Sequence, residues 1–420
     1  MYKKQTLKNG LTLITASLKE TKIISVLLLV KVGSRYEAAK INGISHFIEH
    51  MMFKGTDSRP STMIISQALD AVGADYNAFT AKDHTGYYIK INADKLTLAL
   101  DWLADIIWHS QFKPVEIDKE KPVIIEEINM YEDNPLMYVE DLVEQLIFQN
   151  NKLGYLVIGN RQNIKAMSRQ KLLAYRDRFY QPQNMVLGLV GNLPRGYLNQ
   201  IKKYFLTPGV RTKKINYDQF ESNQKIRRSK IIFKQTEQVQ VALGWPAFSY
   251  EQPEVYAAYL LATILGGSMS SRLFIKIRGE QSLAYYVRAV NNVYQDTGCL
   301  LIQAGLDKQR SAEAINLILN EVEKIKKDGV TQEELKRAQE FFKGKVAIEM
   351  EDSINLAQWY VRQQLLTRKI VTPEEKIRKL FAVKSGDIQK VAQQICQNQR
   401  LSLAVVGPVK DLGSLKVVAK

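Results

Sequence analysis

The segment His46-Phe47-Ile48-Glu49-His50 has the residue types and spacing of a metal-dependent hydrolytic site. Two histidines four positions apart lie on one face of a helix, so both imidazoles can bind a single metal ion. Neutral imidazoles are good ligands of Zn²⁺, and the carboxylate of Glu49 can lie beside the metal and accept a proton from its water molecule. This H-x-x-E-H order reverses the commoner H-E-x-x-H zinc motif. It predicts a catalytic zinc site.

The alternative interpretation is a pair of surface histidines on an ordinary amphipathic helix. The chain has four histidines, and two of them fall in this one cluster beside an acid, which favours the metal site. A catalytic zinc needs three protein ligands and an open position. The third ligand must then come from another segment, where Glu126, Glu127 and His84 are all candidates. The residues alone leave this choice open.

The bulk composition describes a globular protein of more than one domain. The chain has 420 residues, of which 45% are hydrophobic and 24% charged, and a chain of this length exceeds one ordinary core. Its longest apolar runs, such as 23–30, are too short to cross a membrane and predict buried strands. The basic N-terminal residues lack a following apolar segment typical of a secretion signal. Together with two widely separated cysteines, Cys299 and Cys396, which we expect to be buried thiols, this favours a cytoplasmic protein.

The formal net charge of +16 raises the question of an anionic partner. Lysines and arginines are scattered, and many lie next to acidic residues on predicted helices. The densest basic cluster, 225–230, is short and has no interleaved aromatic residues, unlike a nucleic-acid interface. We therefore expect neither a nucleic-acid nor a membrane partner.

Two halves of the chain carry the same order of features. Asp94-Lys95 and Asp307-Lys308 open matching predicted helices, and strands that end at Gly191 and Gly407 close the two halves. These pairs are offset by nearly the same number of residues, which indicates a duplicated domain of about 210 residues. We predict domains at 1–206 and 225–420, joined by a linker at 207–224 that is rich in turn residues. Strands alternate with long helices but also adjoin one another, which predicts an α+β fold with mostly antiparallel sheets.

Several further segments resemble the M16 metallopeptidases, the family of pitrilysin and the mitochondrial processing peptidase. The resemblance covers essentially the whole chain and rests on five segments: Gly33-Ser34-Arg35-Tyr36-Glu37, 46–56, Asn77-Ala78-Phe79-Thr80, 123–128 and 179–185. It implies that Zn²⁺ is the cofactor and that Glu127 is the third ligand after His46 and His50, with Glu126 as the neighbouring alternative. It also implies that Glu120, seven positions earlier and outside the ligand set, either orients the ligand helix or supports the proton path.

The resemblance extends to substrate recognition and assembly. It implies that Arg278 and Tyr285 of the second half bind substrate, with Tyr286 as an adjacent alternative, and that Asn77 and Ala78 belong to an edge strand that pairs with the substrate backbone. The second half has no H-x-x-E-H, so one zinc site per chain is expected. The implied activity is endopeptidase cleavage of peptides or unfolded segments inside a closed chamber, with Glu49 as the base.

Three assemblies are compatible with this resemblance. Because the chain carries both the zinc motif and the Arg/Tyr pair, a homodimer or a single chain that acts as a two-domain clamp is favoured over a heterodimer with an M16 paralogue. The alternative function is a catalytically weak, zinc-binding subunit of a heteromeric processing peptidase.

Overall fold

The computed structural model describes residues 2–206 and 215–411. Within it, the chain forms two compact units, and neither is a continuous stretch of sequence. Unit 1 consists of Met1–Ile128, Tyr155–Asp218 and Ala347–Val371, and unit 2 of Asn129–Gly154, Gln219–Val346 and Thr372–Lys420. Each half of the sequence therefore contributes a helical segment to the other unit, which the sequence did not predict. Of the predicted linker, 207–214 lies outside the described residues, and 215–224 forms no regular helix or strand. The contiguous boundaries at 206 and 225 stay a prediction.

Unit 1 is built on a six-stranded sheet in the order β1-β2-β6-β3-β5-β4. Its strands β1 to β6 are Tyr2–Thr6, Thr12–Ser17, Ile23–Val30, Asp75–Thr80, Thr85–Asn92 and Met185–Gly191. Its helices are α1 (Ile44–Met51), α2 (Thr62–Asp70), α3 (Leu96–His109), α6 (Arg161–Lys165), α7 (Arg169–Phe179), α8 (Tyr197–Phe205) and α12 (Ser353–Thr367). Helix α4 (Pro114–Asp133) begins in unit 1 and ends in unit 2.

Unit 2 is built on a five-stranded sheet in the order β7-β11-β8-β10-β9. Its strands β7 to β11 are Arg228–Phe233, Gln238–Ala247, Ala284–Val293, Gly298–Asp307 and Ser402–Gly407. Its helices are α5 (Pro135–Ile147), α9 (Val255–Gly266), α10 (Ser311–Asp328), α13 (Pro373–Phe381) and α14 (Ser385–Ile395), with a π-helical segment at Phe274–Glu280. Helix α11 (Gln332–Met350) begins in unit 2 and ends in unit 1.

The two sheets share one topology. In each, a single parallel pair (β2 with β6, and β7 with β11) joins otherwise antiparallel ladders. Strands β4 and β9 take the same outer position next to β5 and β10, and unit 1 adds only β1 at the far edge. The predicted α+β fold with two similar domains is confirmed. Among the described residues, no helix is long and apolar enough to cross a bilayer.

Close packing of the exchanged helices on the sheets depends on two glycines. Strand β3 is an almost wholly buried apolar run, IISVLLLV, as expected for a strand covered on both faces. Next to it, a Cβ at Gly188 would lie 2.3 Å from Val361 Cγ2 of α12. In unit 2, a Cβ at Gly244 would lie 2.6 Å from Ile147 Cδ1 of α5. Glycine is therefore needed at both positions to let a helix approach the strand.

We predict that Gly188→Ala destabilises the protein by about 1–3 kcal/mol, the usual cost of overpacking a well-packed core. Gly344→Ala is the control, because Gly344 lies within α11 and a Cβ there would meet no atom within 4 Å. That control should be neutral or stabilising by up to about 1 kcal/mol, because alanine is the better helix former. Urea unfolding of both variants measures the difference, and equal stability for the two would contradict the packing described here.

Candidate metal centre

Helix α1 carries three of the candidate site residues, and a buried carboxylate fixes where the helix begins. Gly43 precedes the helix with a φ of 99°, in the left-handed region that glycine adopts readily. Glu37 accepts hydrogen bonds from the backbone N–H groups of Gly43 (2.7 Å) and Ser45 (2.8 Å). A carboxylate at this end satisfies orphan N–H groups and complements the helix dipole. Burial raises the pKa of Glu37.

The two faces of α1 are chemically distinct. Ile44, Phe47, Ile48 and Met51 are fully buried. The other face presents His46, Glu49 and His50. The helical period that places the apolar side chains in the core therefore also turns the three polar side chains to one side.

Helix α4 brings a carboxylate to the two imidazoles. His46 Nε2 and His50 Nε2 lie 3.2 Å apart, and Glu127 Oε2 lies 3.7 Å and 3.5 Å from them. Tetrahedral zinc with ligands at about 2.0–2.2 Å places neighbouring donor atoms roughly 3.3–3.6 Å apart. The three measured distances between donor atoms are close to this range. The donor set of two imidazoles and one carboxylate therefore fits a zinc ion.

The other two candidate ligands do not join this group. Glu126 is exposed on α4, one position away from Glu127. His84 is buried, and its Nδ1 lies 2.7 Å from Asp83 Oδ1. Among the described residues, His46, His50 and Glu127 form the one group of three or more potential ligands that lie close enough to hold an ion.

Glu120 contacts a histidine of the metal centre directly. Its Oε1 accepts a hydrogen bond from His50 Nδ1 at 2.8 Å, and its Oε2 lies 2.6 Å from Lys54 Nζ. A proton held on Nδ1 leaves Nε2 as the metal-binding nitrogen. Glu120 was expected to support the ligand helix, and the structure adds that it orients the imidazole of His50. Although burial opposes it, the contacts with His50 and Lys54 lower the pKa of Glu120.

The pKa values of the two imidazoles diverge when no ion is bound. Burial, assisted by the neighbouring His50, lowers the pKa of His46 to about 4. Burial also opposes the charged form of His50, but hydrogen bonds to Glu120 and Glu127 outweigh it and raise its pKa to about 9. In the ion-free protein at neutral pH, His46 is therefore neutral and His50 carries a proton that a metal must displace.

Glu49 lies beside the ligands without joining them. Its Oε2 accepts a hydrogen bond of 2.5 Å from Thr80 Oγ1, and burial raises its pKa. Thr80 ends strand β4, whose outer edge has no partner among the described strands. Asn77 and Ala78 lie on the same strand, and Asn77 Oδ1 accepts a hydrogen bond from the Ala78 N–H at 2.8 Å.

The sequence pattern did not indicate the contributions of Thr80, Glu37 and Lys54. All three residues lie inside segments that resemble the M16 family, and Lys54 lies four positions after His50. On a helix that continued past His50 this spacing would place Lys54 on the side that His50 occupies, but α1 ends at Met51. The contacts of all three residues therefore depend on tertiary structure.

Arg278 and Tyr285 lie near each other in unit 2. The guanidinium carbon of Arg278 is 5.8 Å from the ring centroid of Tyr285 and 4.8 Å from that of Phe274. Tyr285 is 72% exposed. The hydroxyl of the adjacent Tyr286 instead donates to Gln240 at 2.8 Å, and burial raises its pKa to about 12. These contacts favour Tyr285 over Tyr286 as the side chain available to a ligand.

Comparison of the sequence with known proteins identifies the family of this chain. The model of the insulinase family, peptidase family M16, matches residues 12–161, and the model described as the peptidase M16 inactive domain matches residues 166–342. A Bacillus subtilis protein named as the uncharacterised zinc protease YmxG is 32% identical over 99% of this chain and 100% of its own length. The uncharacterised zinc protease Rv2782c of Mycobacterium tuberculosis is 32% identical over 97% of this chain and 93% of its own.

Solved structures agree on the fold. A protease from Helicobacter pylori superposes with a TM-score of 0.92 at 24% identity, covering 97% of this chain and 99% of its own. A Pseudomonas fluorescens structure described as a peptidase M16 inactive domain gives a TM-score of 0.89 at 17% identity, covering 98% of each chain. Given the relatives at 32% identity over nearly the full length, the chain belongs to peptidase family M16.

The ligand assignment predicts a large difference between two adjacent carboxylates. Glu127→Gln should sharply lower zinc occupancy, because an amide is a poorer ligand for Zn²⁺ than a carboxylate. Glu126→Gln should leave occupancy unchanged, because Glu126 is exposed and outside the group. Metal analysis of the purified, folded variants checks this. Loss of zinc in the Glu126 variant instead would move the third ligand one position back.

The pKa of His50 predicts proton release when zinc binds. Because that pKa is about 9 in the ion-free protein, uptake of zinc near pH 7.5 should release about one proton from His50. The apparent zinc affinity should therefore rise about tenfold per pH unit up to about pH 9. Calorimetry with a competing chelator, in buffers of different ionisation enthalpy, counts the protons. Zinc uptake without proton release would contradict the assigned state of His50.

Proposed function

We propose that this protein is a zinc-dependent endopeptidase that hydrolyses peptides or unfolded polypeptide segments. The observation that carries the proposal is the convergence of three donor atoms, from His46, His50 and Glu127, beside a carboxylate that is not a ligand. A purely structural zinc site has four protein ligands and needs no adjacent acid. The names of the relatives as zinc proteases agree with this chemistry.

Four residues have distinct roles in the proposed reaction. His46, His50 and Glu127 would hold the ion. A bound zinc ion would polarise the scissile carbonyl and lower the pKa of a water molecule toward about 7. Glu49 would accept the proton of the attacking water and then deliver it to the leaving amine. Burial raises the pKa of Glu49, which makes its carboxylate a stronger proton acceptor than an exposed one.

Substrate recognition would begin at strand β4. Its outer edge offers backbone groups that an extended peptide can pair with, and Asn77 and Ala78 lie on it. Such pairing recognises an extended backbone more than particular side chains. We therefore propose that the substrate specificity is broad. A folded domain cannot present such a segment, so peptides and unfolded chains are the proposed substrates.

The second half would supply the remaining substrate contacts. Arg278 can donate charge-assisted hydrogen bonds to a substrate carbonyl, and the exposed Tyr285 can donate to the oxygen on which negative charge develops. Closure of this half over the zinc centre, as a chamber that excludes water, belongs to the same proposal. Assembly as a homodimer is proposed on the ground that one chain carries both sets of residues.

Two alternative functions would require other features of the chain. A catalytically weak zinc-binding subunit would not need Glu49, whereas Glu49 is present and held by Thr80. A nucleic-acid partner would need the basic cluster to be available. Instead, Arg228 donates to the Leu146 carbonyl at 2.6 Å and Arg227 to the Asn398 carbonyl at 3.2 Å. Two arginines of the cluster therefore serve the fold.

The proposal is tested by separating metal binding from catalysis. Glu49→Gln should keep zinc at the wild-type level, because Glu49 is not a ligand, and should abolish peptide cleavage, because an amide cannot accept the proton. Zinc content and turnover of an unstructured peptide are measured on one preparation. Glu126→Gln serves as the matched control and should remain fully active. Near-wild-type turnover by the Glu49 variant would refute the mechanism.

A further inference from the structure

One hydrogen bond connects the proposed substrate strand to the proposed base. Thr80 is the last residue of β4 and faces Thr85 of β5 in the ladder. Its hydroxyl donates to Glu49 Oε2 at 2.5 Å. Within the described part of the chain, this is the side-chain hydrogen bond that the Glu49 carboxylate accepts. Short hydrogen bonds to an ionised carboxylate are among the stronger ones in proteins.

The carboxylate of a glutamate needs such a partner if it is to act in one orientation. Rotation about the terminal torsion of a glutamate side chain is broad, so packing alone leaves the two oxygens poorly fixed. A proton acceptor must lie within hydrogen-bond reach of the attacking water in a defined orientation. Holding Oε2 through Thr80 leaves Oε1 as the oxygen that accepts the proton.

We propose that Thr80 is a positioning residue that orients Glu49 and couples it to occupancy of β4. This inference rests on the proposed peptidase function. Because Asn77 and Ala78 lie on the same strand, a peptide that pairs with β4 would also restrain the backbone that carries Thr80. The base would then be held most firmly when a substrate is in place.

The hydroxyl group of Thr80, rather than the bulk of the side chain, is therefore the feature to test. Thr80→Val keeps the shape and removes the donor, and Thr80→Ala removes the donor without adding bulk. Thr80→Ser keeps the donor and loses a methyl group. Thr12→Val, in strand β2 of the same sheet, makes the same chemical change away from Glu49.

Zinc content, thermal stability and steady-state kinetics on an unstructured peptide are measured for all four variants. The valine and alanine variants should bind zinc as the wild type does and lose about 10- to 100-fold in kcat, with KM nearly unchanged, because the base is misaligned and not removed. The serine variant should recover most of kcat. Thr12→Val should match the wild type.

Three results would overturn the inference. Wild-type kcat in both the valine and alanine variants would show that the hydroxyl does not matter. An equal loss in the serine variant would assign the effect to packing of the methyl group. A zinc-loaded wild-type protein that cleaves no peptide would refute the proposed function and this inference together, whereas the first two results leave the proposed function standing.

Discussion

The contact between Glu120 and His50 joins the two helices on which the metal centre depends. Glu120 is buried on α4, and it accepts from His50 at the end of α1 and contacts Lys54 just beyond that helix. In the ion-free protein this buried carboxylate has two cationic partners, and removing one of them would leave a charge whose burial costs several kcal/mol. The same bond fixes the tautomer of His50. Glu127 lies two helical turns along α4, so the geometry of the third ligand follows from this contact.

A second constraint acts at the other end of α1. Glu37 holds the first turn through the Gly43 and Ser45 N–H groups, and Glu120 holds the last turn. A short helix of eight residues has little stability of its own. Its fixed ends, together with its buried apolar face, place three polar side chains within the small tolerance that metal binding and proton transfer demand.

Much of this could be predicted from the sequence, because local periodicity encodes it. The spacing of His46 and His50 indicates one helix face, the run from 23 to 30 predicts a buried strand, and nearly equal offsets indicate a duplicated fold. The exchange of helical segments between units could not be predicted, because helical periodicity does not specify which sheet a helix covers. Contacts such as that between Ser25 and Ser353 join residues 328 positions apart. The choice between Glu126 and Glu127 likewise needed the family resemblance, since adjacent residues share one local pattern.

The two halves share a fold but differ in the reactive side chains that they carry. Both sheets share a topology, yet the H-x-x-E-H motif occurs in the first half only. A fold supplies a scaffold, and activity depends on the side chains placed on it. The second half carries different side chains, such as the neighbouring Arg278 and Tyr285, on the same kind of scaffold.

Titration of the metal-free protein with zinc shows whether peptide cleavage depends on the zinc centre. Cleavage of an unstructured peptide and bound zinc are followed together as zinc is added. The proposed mechanism requires that activity is absent without metal, rises in proportion to bound zinc and reaches its maximum at one zinc per chain, because the described residues hold one such centre. Cleavage that persists without metal, or activity that needs a second zinc per chain, would contradict it.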